Sequence, residues 1–107
     1  EKHRGLAREA LIDALSSDDG MTAQFAATSL TRIGGPELEA ELLEIVRDRN
    51  ADEATRSKAI FVLGKVGGET TRAELGQFVD RTESDSLRQQ AFSALSKLGG
   101  IGAGEVA

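Results

Sequence analysis

The stretch from Arg56 to Gly67, Arg-Ser-Lys-Ala-Ile-Phe-Val-Leu-Gly-Lys-Val-Gly, decides how this 107-residue chain folds. It carries the pattern Ala-x-x-x-Leu-x-x-(Ile/Val/Leu)-Gly-Gly, which occurs three times, at Ala26–Gly35, Ala59–Gly68 and Ala91–Gly100. The leucines of the three copies are 33 and then 32 residues apart. Self-similarity at a fixed period of this size is the signature of an array of repeated structural units.

A second apolar pattern lies between the copies. Leu38, Leu42, Ile45 and Val46 follow the i, i+4, i+7, i+8 spacing of one helical face. The pattern returns downstream at Thr71, Leu75, Phe78 and Val79, and it occurs upstream at Ala7, Leu11, Ala14 and Leu15. Each unit is therefore predicted to be two helices, A then B, with the Gly-Gly pair at the turn between them.

The residues around these patterns favour the same helix boundaries. A glycine after a periodic run suits a helix C-cap because the left-handed conformation costs it no steric penalty. Pro36 suits a first helical turn. Asp19, Asp52 and Ser84 or Asp85 can cap the three A helices. We expect helices at about 3–16, 21–33, 36–48, 53–66, 69–81 and 85–98. Gly64 inside an A helix is tolerated most easily if another backbone passes close by.

With an arginine before the alanine, the pattern resembles the short HEAT-like repeats of the phycobilisome-lyase type. Arg56 and Arg88 match that arginine, whereas Ala23 stands in its place in the first copy. The resemblance implies an all-α fold, a right-handed α-α superhelix of about six helices in antiparallel pairs. It also implies that Arg56 and Arg88 form a ladder with Asp52 and Asp85, and that the B helices line the concave surface.

The predicted organisation is a single domain over residues 1–107. It contains a lone B helix at about 3–16, repeats at about 21–48 and 53–81, a lone A helix at about 85–98 and a glycine-rich tail at 99–107. Solenoids usually end in polar capping repeats, and neither end shows one. We therefore expect a piece of a longer protein, whose uncapped apolar ends could self-associate.

Composition excludes most catalytic chemistry. The chain has no cysteine and one histidine, His3, so a Cys–His pair or a multi-histidine metal site cannot form. The Gly-Gly turns lack the lysine and Ser/Thr of a phosphate-binding loop. No run approaches the roughly 18 apolar residues of a membrane span, and no signal peptide is recognisable. We predict no catalytic residue, no metal, no cofactor and no membrane contact, and a cytoplasmic location.

Charge gives the functional hypothesis. The B helices carry more acids than bases, and Glu37, Glu41, Glu44 and Asp48 share one helical face. We predict a non-catalytic protein-interaction or scaffolding module that binds a basic peptide or protein patch through these four carboxylates. Alternatives for the carboxylates are a metal site and a solvated face.

A second hypothesis rests on the A helices, whose basic residues are Arg32, Arg56, Lys58, Lys65, Arg88 and Lys97. Arg32, Lys65 and Lys97 form one column two residues after the repeat leucine, and this column is the alternative, anion-binding site. Its position near helix C-termini also suits cations for purely structural reasons. Nucleic acid is disfavoured by the net charge of −5. A third possibility, a helper subunit of a chromophore lyase, rests on the resemblance alone.

Overall fold

The computed structural model describes the backbone of residues 2–98 and the side chains of residues 8–98. This part of the chain contains no strand and six helices, as the periodicity predicts: α1 (Lys2–Ala14), α2 (Gly20–Ile33), α3 (Pro36–Arg47), α4 (Glu53–Val66), α5 (Glu69–Arg81) and α6 (Asp85–Lys97). Every end lies within two residues of its predicted position. The predicted tail at 99–107, with its Gly99–Gly100 turn, and the side chain of His3 lie outside the described residues.

The helices form two rows. In the A row, α4 packs between α2 and α6; in the B row, α3 packs against α5. The hairpins α1–α2, α3–α4 and α5–α6 join the rows. This is the predicted all-α solenoid of stacked helix pairs, because the three hairpins pack on one another through α2 and α4, α4 and α6, and α3 and α5.

The core lies between the two rows. The repeat leucines Leu30, Leu63 and Leu95 are buried, and so are Leu38, Leu42 and Leu75 of the B row. Each such side chain contributes about 1.5–3 kcal/mol on burial. The alanine that opens each repeat pattern, at 26, 59 and 91, is completely buried. A methyl group at that position lets the A helices approach one another closely.

Gly64 lies at the contact between the A helices α4 and α6. A Cβ built on Gly64 would lie 3.0 Å from both the Cα and the Cβ of Ala94 in α6. The expectation that another backbone passes beside Gly64 is therefore confirmed. The absence of a side chain fixes the distance between α4 and α6.

The predicted N-caps are confirmed in two of three helices. Asp19 accepts a hydrogen bond from the main-chain N–H of Met21, and Ser84 accepts one from that of Leu87. Asp52 stands at the N-cap of α4 but makes no such bond. Its carboxylate accepts instead from the hydroxyl of Thr55.

The two described Gly-Gly turns differ from each other. Gly34 and Gly35 have positive φ angles of 60° and 98°, which favour glycine. Gly67 has φ −72°, so the expectation of a left-handed C-cap is wrong for this copy. The requirement there is space, because a Cβ on Gly67 would lie 2.6 Å from the main-chain oxygen of Leu63.

Candidate functional site

A groove between the B helices α1 and α3 carries most of the acidic side chains of this surface. It has a volume of about 560 Å³ and is lined by Glu9, Ile12, Asp13, Glu41, Glu44, Ile45 and Asp48. The two isoleucines are half-buried and pack against the core, so the groove combines an apolar component with five carboxylates. We call it the acidic groove.

The structure brings together three of the four carboxylates that the sequence singles out. Glu41, Glu44 and Asp48 line the acidic groove, whereas Glu37 does not. Glu37 is 81% exposed and lies 3.5 Å from the guanidinium group of Arg8. Glu9 and Asp13 complete the groove from α1, and they are not among the site residues expected from the sequence. Their i, i+4 spacing was a usable signal, but it does not reveal that α1 faces α3.

The carboxylates of the groove differ in whether they already have a hydrogen-bond or ion-pair partner. Glu41 accepts a 2.9 Å hydrogen bond from Arg8, whose side chain is only 16% exposed. Asp48 accepts a hydrogen bond from the main-chain N–H of Asn50. Within residues 8–98, the side chains of Glu9, Asp13 and Glu44 make no ion pair or hydrogen bond. These three carboxylates are the ones that can pair with an incoming cation.

The arrangement does not resemble a metal centre. Among the residues that the structure describes, no group of three or more Asp, Glu, His or Cys side chains converges closely enough to hold a metal ion. The carboxylates of the acidic groove are spread along two helices. A row of separated charges suits an extended basic segment better than a single ion.

Two of the three residues in the basic column of the A helices lie around the same aromatic ring. The ammonium groups of Lys65 and Lys97 lie 5.3 and 5.1 Å from the ring centroid of Phe61. Both distances fall within the range of cation–π attraction. Arg32, the third member of the column, is exposed in the last turn of α2 and is not among the cations that contact this ring.

The arginines of the repeat pattern act differently from the implied ladder. Arg56 donates two hydrogen bonds, of 2.6 and 3.0 Å, to the main-chain oxygen of Val46, and none to Asp52. Arg88 contacts Asp85 as implied, but it also donates to the main-chain oxygens of Val79 and Thr82. Each arginine therefore caps the C-terminal carbonyls of the preceding B helix, because those carbonyls have no partner within the helix.

Stacked helix pairs with surface grooves between successive B helices define the α-α solenoid class. Residues 8–96 match the family of HEAT repeats. The chain belongs to the HEAT repeat family, whose members generally mediate protein–protein interaction or scaffolding. No solved structure matches it. No helix of the described residues is long and apolar enough to cross a membrane.

A curated relative adds a comparison at the level of the whole protein. The chain is 50% identical over 92 residues to a HEAT repeat-containing taxis protein from Halobacterium salinarum. The alignment covers 86% of this chain and 23% of the relative. The chain therefore spans about a quarter of the length of the curated relative that it matches.

Proposed function

We propose that this chain is a protein-interaction segment of a larger scaffold and that its acidic groove binds a basic, partly apolar segment of a partner protein. The observation that carries the proposal is that five carboxylates and two half-buried isoleucines line the same groove. Three of those carboxylates have no partner among the described side chains. A basic segment would neutralise them and cover the isoleucines at the same time.

Charge and shape support this choice of partner. Carboxylates along a groove attract cationic segments and accelerate the encounter. Ile12 and Ile45 offer the apolar contact that gives a charged interface its affinity, because exposed ion pairs alone contribute about 0–1 kcal/mol each. The segment expected from this arrangement carries Lys or Arg residues beside Leu, Ile or Met side chains.

The curated relative suggests the setting of this interaction. The name of that protein assigns it to taxis. We propose that the parent of this chain acts in the same process as a scaffold that holds a partner with a basic patch. The 50% identity over 92 residues supports a shared repeat surface, which corresponds to 23% of the relative.

The test measures binding of basic peptides to residues 1–107 by fluorescence anisotropy. The probes are peptides that carry Lys or Arg at spaced positions around two leucines. The reference is a peptide of the same design that carries acidic residues at those positions. Reversing Asp13 and Glu44 together, D13K with E44K, should weaken binding at least tenfold, because it removes two unpaired carboxylates and adds two repulsive charges. Helicity should be unchanged because both side chains are exposed.

A matched control separates the groove from net charge. Asp18 and Asp80 are exposed acids that do not line the groove, and D18K with D80K changes the net charge by the same amount. Binding that falls equally in both double variants would reduce the effect to long-range charge and contradict the proposal. Binding that is unaffected by D13K with E44K would remove the acidic groove from consideration.

The nucleic-acid alternative has one observation in its favour, the cluster of Lys65 and Lys97 around Phe61. Proteins that bind single strands stack bases on free aromatic faces, and here two ammonium groups already lie over the ring. This alternative requires salt-sensitive oligonucleotide binding that K65Q with K97Q abolishes. No observation on the described residues favours a chromophore-lyase helper.

A further inference from the structure

A second groove lies between the B helices α3 and α5, and its chemistry is the reverse of the first. Its volume is about 450 Å³, and four arginines enter it: Arg47, Arg49, Arg56 and Arg81. Glu74 and Glu83 are the only acids of its lining. Four guanidinium groups against two carboxylates leave the groove with a formal charge of +2. Phe78 also lines the groove, and the guanidinium group of Arg56 lies over its ring, 5.6 Å from the centroid.

The two grooves are built from equivalent positions of successive repeats. Adding the repeat period of 33 residues to the α3 lining of the acidic groove gives the α5 lining of the second groove. Glu41 corresponds to Glu74, Glu44 to Gln77, Ile45 to Phe78 and Asp48 to Arg81. The carboxylate of Glu44 is thus replaced by a neutral amide, and that of Asp48 by a guanidinium group. The isoleucine side chain is replaced by a larger phenylalanine. Equivalent surface positions of adjacent units therefore differ in charge at two of these four places.

Two of the four arginines have free donors. Arg47 is paired with Glu74 at 3.0 Å, and Arg56 is held by the main-chain oxygen of Val46. Arg49 forms no hydrogen bond or ion pair within residues 8–98. Arg81 has only a 3.5 Å contact with Gln77. A guanidinium group presents several N–H donors in a fixed plane, and it binds carboxylate or phosphate oxygens in pairs.

The helix ends beside this groove already have cationic partners. The C-termini of α3 and α5 point partial negative charge toward their last turns. The guanidinium group of Arg56 caps Val46, and that of Arg88 caps Val79 and Thr82, so cationic donors already satisfy these carbonyls. The free donors of Arg49 and Arg81 remain available to a ligand.

We propose that the α3–α5 groove binds a phosphate monoester. A phosphate monoester carries about −1.5 to −2 charges near neutral pH and three acceptor oxygens, which match the +2 charge and the two free arginines. A single carboxylate would leave one guanidinium group unpaired. A groove of about 450 Å³ is also larger than one phosphate needs, and it has room for the attached organic group. This inference is independent of the acidic groove.

The experiment titrates the 107-residue chain with phenyl phosphate, inorganic phosphate and benzoate, and it follows main-chain amide shifts by NMR. Phenyl phosphate should saturate, with shifts concentrated at the C-terminal ends of α3 and α5. Benzoate should bind at least fivefold more weakly, because it offers one charge and two oxygens. The double variant R49Q with R81Q should weaken phenyl phosphate binding at least tenfold while its helicity stays unchanged.

The control removes two cations elsewhere. The variant K58Q with R72Q loses the same charge from positions that do not line this groove, and it should bind phenyl phosphate within twofold of the original chain. Equal losses in the two double variants, or no saturation, would overturn the proposal. A phosphoserine peptide distinguishes the source of the phosphate. Tighter binding of that peptide than of phenyl phosphate indicates a phosphorylated partner segment, whereas the reverse order indicates a small phosphate ester.

Discussion

Gly64 of α4 lies against Ala94 of α6, so that a Cβ on the glycine would be 3.0 Å from both the Cα and the Cβ of the alanine. Gly76 of α5 provides the comparison for Gly64, because a Cβ on Gly76 would meet no atom within 4 Å. Both glycines lie inside helices. The same substitution at the two positions should therefore act in opposite directions.

Gly64→Ala should destabilise the fold by about 1 kcal/mol. The gain in helix propensity of about 1 kcal/mol is smaller than the cost of forcing a packed helix outward, about 1–3 kcal/mol. Gly76→Ala should instead stabilise the fold by about 0.5–1 kcal/mol. Urea denaturation of both variants checks the pair. A stabilised Gly64→Ala variant would contradict the close contact between α4 and α6.

Glu39 links α3 to the first turn of α5. Its carboxylate accepts hydrogen bonds from the main-chain N–H of Gly68 and from the buried hydroxyl of Thr71, the latter at 2.7 Å. Glu39→Ala should cost about 1–3 kcal/mol, because both donors lose an ionised acceptor. Glu37→Ala, at an exposed position two residues earlier, should change stability by less than about 0.5 kcal/mol. Thermal melting followed by circular dichroism compares the two, and equal effects would refute a specific role for Glu39.

Arg56 and Arg49 provide a similar comparison among arginines. Arg56→Ala removes two hydrogen bonds to Val46 and the contact with the ring of Phe78, 5.6 Å away. We expect a loss of about 1–3 kcal/mol in the free energy of unfolding. Arg49→Ala should cost less than about 0.5 kcal/mol. If Arg49→Ala proved as costly as Arg56→Ala in urea denaturation, the cap on α3 would not be the source of the effect.

Ile60 and Phe92 occupy equivalent positions, each three residues before a repeat leucine. Ile60 is completely buried, whereas Phe92 is 45% exposed. Ile60→Ala should cost about 2–5 kcal/mol, and Phe92→Ala should cost markedly less. Denaturation measures this difference.

The predicted self-association has its own test at the exposed Phe92. If this end of the A row mediates self-association, Phe92→Ser should shift the sedimentation of the chain toward that of a monomer.

The sequence predicts the helices well because the information is local. The spacing of Leu30, Leu63 and Leu95 defines the repeat, and glycines, Pro36 and capping side chains define the ends. Each of these signals acts within one or two helical turns. The same locality explains the error at Gly67, since the atom that excludes a side chain there is found only in the folded chain.

The grooves could be predicted only in part because they lie between helices that are far apart in sequence. The spacing of Glu41, Glu44 and Asp48 places them on one face of α3. It does not show that α1 supplies Glu9 and Asp13 to the same groove. The arginine groove was missed for the same reason, because its four arginines come from α3, α5, α4 and a loop. Comparing charges at equivalent repeat positions is the signal that would have found it.

The arginine caps also determine how the array comes apart. Arg56 and Arg88 each extend from an A helix to the last carbonyls of the B helix before it, so each arginine holds together the two helices of one hairpin, α3–α4 or α5–α6. The stability of a linear array is the sum of the stabilities of its units and of the interfaces between neighbouring units. The caps stabilise the units themselves, and they therefore favour the loss of a whole hairpin over the separation of its two helices.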